Sequence, residues 1–449
     1  MNLPAGSSPA YARNGGRQWR LAAELFTYNT LLLAGAPAIA CWLLWRALRR
    51  KALGCWRHRL GLVPRLPVRE GPRIWLHAVS AGEVGAAKPV LEALRQGLPG
   101  ARIALSTVTQ AGMTIARKSC GSANVFLYLP LDVPAAMGLA LSRLRPDLVV
   151  VTEKELWPNF LGLARLSGAR VLMVNGRVSN RMAQRARWAG RFVQWLYRLP
   201  DRLCVQSQQD ARRLVDLGVE PARILVAGNT KVDGMAERDQ QAEAKLAAEL
   251  AVSPGDLWLV AGSTHPGEEE AVIEAFRLIR SQLPGARLLL APRHLERVPA
   301  ISALVAQRGF PVVRRSERAA ASAAPVVVLD TMGELRAAYG CATAAFVGGT
   351  LAPVGGHNLL EPVAAGRPVL FGPHTEECAD MADLVLESGV GFRVSSGAEL
   401  AGQFIRLAAD ASLRARIAAT GEALIAGQRG AARRCAEAAQ SLLGLRAVS

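Results

Sequence analysis

Lysine is scarce in this chain: only six of its 54 basic residues, at 51, 88, 118, 154, 231 and 245, the other 48 being arginine. Coding bias explains such a skew as well as chemistry does, so it carries no function by itself. Aromatic residues are also few, at 5%. No aromatic–basic segment of the kind that stacks RNA bases occurs, and this argues against a nucleic-acid partner. The seven cysteines, at 41, 55, 120, 204, 341, 378 and 435, are odd in number and contain no C-x-x-C. That excludes a disulfide framework or a zinc ribbon and fits a reducing compartment. His265, His294, His357 and His374 form no H-x₃-H or H-E-x-x-H arrangement, so no metal site is expected. There is no Walker loop, no D-x-D, and no G-x-G-x-x-G after the first expected strand. Readings built on ATP, a metal-bridged pyrophosphate or NAD lose their support.

What is present is enough for a large core. With 449 residues, 51% apolar and 20% charged, two or three domains fit and a disordered chain does not. The formal charge is +18, so an anionic partner is expected: an acidic membrane surface, or a phosphorylated or carboxylated substrate. Half of that surplus lies in the first 70 residues, where 11 Lys and Arg stand against Glu24 and Glu70. Leu25 to Trp45 is an uncharged run of 21 residues, long enough to cross a hydrocarbon layer about 30 Å thick. Thr27, Asn29, Thr30 and Pro37 dilute it, and no clear small-residue cleavage site is present, which argues against a removed signal peptide. Arg46, Arg49, Arg50, Lys51, Arg57 and Arg59 follow. This order predicts an extension at 1–20 and a single membrane-anchoring helix at 21–50. The rest of the chain then lies on the cytoplasmic side, its basic cluster against anionic headgroups.

From Arg73 short apolar runs alternate with longer helical patterns. Strands are expected at 73–78, 102–107, 125–129, 148–152, 170–175, 202–205 and 224–226, with helices such as 84–98, 134–144 and 182–199 between them. A polar stretch at 233–256 interrupts the series. It restarts with strands at 257–261, 287–291, 326–330, 344–347 and 368–371, and ends in a helical tail from 398. Such alternation predicts α/β domains whose parallel sheets are covered on both faces. Two series predict two Rossmann-like domains, 51–232 and 233–449, facing an interdomain cleft.

Ligands bind beyond the carboxyl ends of strands in open α/β sheets, and the polar clusters of this sequence fall at those ends. Ser80-Ala-Gly82-Glu83 has the spacing of a capping box. The same residues offer Glu83 as a general base that a helix N-terminus keeps ionised, with Gly82 admitting a substrate close to the backbone. Glu153 and Glu155 flank Lys154; if the strand continues, alternation sends both carboxylates to one side. Lys231, at another strand end, suits a leaving phosphate or a sugar carboxylate. In the second series Ser263-Thr-His265-Pro-Gly-Glu268 opens a helix whose free amides form an anion site. Arg293 follows Pro292 at the next strand end. Gly348-Gly349 and Gly355-Gly356-His-Asn358-Leu-Leu-Glu361 read as a phosphate cradle with an acidic grip on ribose hydroxyls. Asn358-x-x-Glu361 is also capping-box spacing. Ser80, Gly82, Ser263, His265, Gly348, Gly349 and Gly356 are thus site candidates.

Taken in order, these motifs resemble one family, the 3-deoxy-D-manno-octulosonic acid (Kdo) transferases of Gram-negative lipopolysaccharide synthesis. The matching pieces are AVSAGE (78–83), YLPLDVP (128–134), TEKELWPN (152–159), NGRVS (175–179), GNTKVD (228–233), GSTHPGEEE (262–270), PRHLER (292–297), DTMGEL (330–335), FVGGTL (346–351) and GGHNLLEP (355–362). The resemblance implies a GT-B glycosyltransferase that needs no metal or other cofactor. It implies inverting transfer from CMP-Kdo to a hydroxyl of a lipid A precursor (lipid IVA type) at the cytoplasmic face of the inner membrane. Carried over by motif, Glu83 is the base, while Glu153 and Lys231 stabilise the transition state. CMP lies against Pro292, Arg293, Met332, Gly333, Glu334 and the turn Asn358, Leu359, Leu360, Glu361. Both substrates are acidic, which gives the +18 balance a purpose.

Overall fold

Each βα series closes into one fully parallel sheet. β1 (Arg73–His77), β2 (Arg102–Thr107), β3 (Val125–Tyr128), β4 (Leu148–Thr152), β5 (Arg170–Gly176), β6 (Arg202–Val205) and β7 (Ile224–Val226) pair in the order β3-β2-β1-β4-β5-β6-β7. β8 (Trp258–Thr264), β9 (Arg287–Pro292), β10 (Val312–Arg314), β11 (Val326–Val328), β12 (Ala344–Val347), β13 (Val369–Phe371) and β14 (Gly391–Arg393) pair in the order β10-β11-β9-β8-β12-β13-β14. The computed structural model describes residues 15–34, 55–66, 71–178, 190–235, 238–317 and 324–445. β10 and β14 were not expected. They are three-residue strands at sheet edges, too short to show a period of two.

Alternation along the strands sorts the first core into two layers. Trp75, Val149, Val151 and Met173 face one side; Ile74, Leu76, Val150 and Leu172 face the other. Helices cover both, so the strands read as continuous apolar runs.

The chain forms two compact units, one reaching Gly234 and taking back everything from Gln428, the other spanning Met235–Gly427. This corrects the expected second domain of 233–449 at its end. Helix Ala431–Leu442 buries Ala432, Cys435, Ala436, Ala438 and Ala439 against the layer formed by Ile74, Leu76 and Leu91 of the first unit. Gln440 Nε2 donates to Gly97 O at 2.8 Å, and Asp233 accepts the amides of Gly430 and Ala432 at 2.7 and 2.6 Å.

Helix Gly15–Ala34 begins inside the segment expected as an extension. It lies against helix Pro158–Leu166: Leu25 Cδ atoms come within 2.8 Å of where a Cβ on Gly162 would stand, and Asn29 and Asn159 exchange amide hydrogen bonds of 2.7 and 2.9 Å. Trp19, Phe26, Leu31 and Leu33 are exposed. Among the described residues no helix is long and apolar enough to cross a membrane. The expected anchor is described only as far as Ala34. Its remainder, with Arg46, Arg49, Arg50 and Lys51, lies outside the described residues.

Candidate active site

Strand order in the first unit reverses between β1 and β4, the place where open α/β sheets take ligands. β1 runs through Ala78–Ser80 into helix Ala81–Gly97. Ser80 is its N-cap, accepting the Glu83 amide at 3.4 Å. Glu83 Oε2 in turn accepts the Val79 amide at 2.7 Å and the Thr152 hydroxyl at 3.2 Å. A capping-box carboxylate returns to the N-cap amide; this one returns one residue further back. Glu83 Oε1 takes no hydrogen bond among the described residues. Gly82 is exposed, and the nearest atom to a Cβ added there is Ser80 Oγ at 3.9 Å.

Glu83 is 8% exposed. Burial, and after it the charge of Glu155, pushes its pKa up to about 7; Glu153 adds to the rise and the Val79 and Thr152 hydrogen bonds oppose it. The expectation that the helix N-terminus keeps Glu83 ionised is therefore corrected. Desolvation outweighs the amide donors.

β4 stops at Thr152 and the chain turns, with Glu153 at φ 55° and the Glu155 amide donating to Thr152 O at 3.2 Å. Strand alternation ends there, so Glu153 and Glu155 take different partners. Glu155 Oε2 accepts Trp157 Nε1–H at 2.9 Å. Glu153 Oε1 pairs with Lys231 Nζ at 3.1 Å and accepts Asn175 Nδ2–H at 3.4 Å. Asn175, buried and also left-handed at φ 53°, accepts the Thr230 amide at Oδ1 and Gln206 Nε2–H at its carbonyl. Two non-glycine residues at positive φ cost conformational energy that only the surrounding bonds hold in place. The ends of β1, β4, β5, β6 and β7 thus bring Ser80, Gly82, Glu83, Glu153 and Lys231 to one edge of one sheet.

Strand order in the second unit reverses between β8 and β12. Gly348 follows β12 where a Cβ would meet Ser263 O at 2.4 Å, and Ser263 itself sits at φ 56° beside a register shift. The first part of the expected phosphate cradle, after β12, is already taken. Glu268, completely buried, accepts the amides of Gly349, Thr350, Leu351 and Ala352 at 2.7, 3.0, 2.8 and 3.2 Å, and that of His265 at 2.9 Å. Glu269 and Glu270 complete an acidic first turn of helix Glu268–Gln282. The 349–352 amides are therefore not an anion site, because the carboxylate of Glu268 occupies them.

Four basic side chains gather beside that loop. His265 Nε2 and His357 Nε2 are 2.8 Å apart with their rings stacked, so one donates and the other accepts. Burial is the main cause that lowers the His357 pKa to about 4. His294 meets the His265 ring edge-on at 5.8 Å, and Arg293 lies close enough to depress both His265 and His357. Pro292 is buried at the end of β9. Gly349 at φ 70° approaches the His357 ring, while Gly356 at φ 90° leaves room for Cys378.

A second group in this unit lines a pocket of ≈ 240 Å³, among them Gly333, Arg336 and Glu361. Burial raises the Glu361 pKa, and Arg336 opposes it. Asn358 donates to Glu361 Oε1 at 3.3 Å and accepts the Leu360 amide at 3.1 Å. This is an Asx turn, not a capping box on the Glu361 amide. Met332 is exposed, and Glu334 pairs with Arg315 at 3.2 Å. Leu359 and Leu360 are fully buried. At this turn they offer a ligand only their backbone. Among the described residues no group of three or more His, Cys, Asp or Glu is arranged to hold a metal.

Residues 54–234 match a family model described as 3-deoxy-D-manno-octulosonic-acid transferase (kdotransferase). A 3-deoxy-D-manno-octulosonic acid transferase of Haemophilus influenzae is 31% identical over 83% of this chain and 88% of its own. One of Bordetella pertussis is 32% identical over 92% and 99%. The chain belongs to the Kdo transferase family. It is therefore a glycosyltransferase. The glycosyltransferase of kitacinnamycin superposes with a TM-score of 0.51 at 16% identity, over 84% of this chain and 100% of that one. That likeness identifies the fold as GT-B.

Several residues of this Kdo transferase escaped the sequence. Thr152 reads as the last strand residue, Arg336 belongs to none of the polar clusters, and Glu268 reads only as the residue that opens a helix. Only Asn175-Gly176 carried a local signal, since Asn-Gly favours left-handed backbone.

Proposed function

We propose that this protein transfers Kdo from CMP-Kdo to a hydroxyl of a lipid A precursor of the lipid IVA type in lipopolysaccharide core synthesis, inverting the anomeric carbon. The observation that carries the reading is Glu83: a carboxylate anchored through Oε2, with Oε1 unbonded among the described residues and a pKa near the working pH. Glu83 Oε1 accepts the acceptor's hydroxyl proton as that oxygen attacks the anomeric carbon. The bond from that carbon to the CMP phosphate oxygen breaks, and its electron pair leaves with CMP. Lys231, held 3.1 Å from Glu153, offsets the charge of the Kdo carboxylate and departing phosphate. A singly linked phosphate carries less charge than a nucleoside diphosphate, so cationic side chains suffice without a metal. The pocket lined by Gly333 and Glu361 is the nucleoside end of the donor site, with Met332, Glu334 and the Asn358 turn beside it.

The N-terminal segment holds the enzyme to the anionic cytoplasmic face of the inner membrane. Supporting this are the uncharged run at 25–45, the basic residues after it, and the exposed Trp19, Phe26, Leu31, Leu33 and Phe192. Mass analysis after incubation with CMP-Kdo and a lipid A precursor should show the acceptor gaining Kdo, and Glu83→Gln should abolish the gain with the fold intact. A fully active Glu83→Gln enzyme, or protection by UDP-sugars in place of CMP, would overturn the assignment.

A further inference from the structure

The base proposed above has a partner that its motif does not advertise. Thr152 is the last residue of β4 and is fully buried. Its hydroxyl has two acceptors within reach, Glu83 Oε2 at 3.2 Å and the His77 carbonyl at 3.1 Å. A hydroxyl carries one proton and can satisfy only one of them at a time. The Val79 amide, 2.7 Å from the same Oε2, cannot turn away, because its direction is set by the backbone. Thr152 can.

We propose that Thr152 is a positioning residue for the base: its hydroxyl donates to Glu83 Oε2 while Glu83 is ionised and swings to the His77 carbonyl once Glu83 has been protonated at Oε1. An anionic acceptor draws the hydroxyl more strongly than a neutral carbonyl. After proton transfer Oε2 is no longer charged, and the nearer His77 carbonyl, at 3.1 Å, takes the hydroxyl. The hydroxyl thereby favours the ionised carboxylate, keeps Oε1 directed outward, and leaves no buried donor stranded in either state. The charged groups bearing on Glu83 are Glu155 and Glu153 from the turn after β4, with Lys231 acting through its pair with Glu153. Lys88 of Glu83's own helix is taken up by Glu92 at 3.8 Å.

This rests on the reading of Glu83 as base, and the test separates the two. The pH dependence of kcat/KM is measured for the full-length wild-type enzyme and for Thr152→Val, Thr152→Ala and Thr152→Ser. Valine and alanine remove the hydroxyl with and without its volume, so both should move the acid limb upward by about one pH unit. Serine keeps the hydroxyl and should leave the limb in place. A limb unmoved in Thr152→Val and Thr152→Ala, with Glu83→Gln inactive, would overturn the role of Thr152 and leave the base standing. An active Glu83→Gln would remove the base and this role together. A limb displaced equally in all three Thr152 variants would assign the effect to packing and also overturn the proposal.

Discussion

At the scale of a residue, Glu83 shows how burial and charge set a proton affinity against local helix chemistry. Its side chain sits in the first turn of a helix, where amides favour the anion, yet its pKa is about 7 against an ordinary 4.5. The kcat/KM of this enzyme should rise with pH on an acid limb near 7, since the base must be ionised. Glu155 raises the Glu83 pKa, so Glu155→Gln should move that limb to lower pH. The same shift bears on stability. A raised carboxyl pKa favours the folded state below the unfolded value, and that contribution is lost as pH climbs through the folded pKa. Glu83→Gln should therefore stabilise the protein at pH 8, by on the order of 2–3 kcal/mol, and do nothing at pH 4. Urea unfolding at the two pH values checks both signs.

At the scale of the element, the loop after β12 owes its shape to one side chain. Glu268 gathers five backbone amides, and without it those of Gly349 and Thr350 would be buried donors with no acceptor. Glu268→Gln places an amide NH₂ against two or three of those N–H groups. A loss of about 3 kcal/mol or more is expected, read as a lower urea midpoint with an unchanged slope. Because this loop carries Gly349 against the His357 ring, activity should fall with it. The returning C-terminal helix is the second case. A chain ending at Gly427 should show faster hydrogen exchange in helix Ala81–Gly97, which loses its cover, than in helix Glu268–Gln282 of the other unit.

At the scale of the whole molecule, sequence alone was enough for the architecture. Apolar runs of four to six residues separated by helical periods specify parallel sheets, because covering both faces leaves few other solutions. Strand ends such as Arg102–Thr107, Leu148–Thr152 and Ile224–Val226 were legible to the residue, since a cap or turn residue (Thr109, Glu153, Gly228) follows within two positions. The order of the polar clusters carried the family. Tertiary structure decided which of those polar groups are spoken for. A glycine-rich loop looks the same in sequence whether its amides await a phosphate or are held by Glu268, 81 to 84 positions away. A carboxylate at a helix N-terminus looks ionised until the burial that raises its pKa is known. The helix at 431–442 reads as the end of the second series, yet its alanine face belongs to the first sheet. Local pattern follows backbone periodicity and short-range sterics, whereas hydrogen-bond occupancy, desolvation and the return of a distant helix depend on contacts between residues that no local window contains.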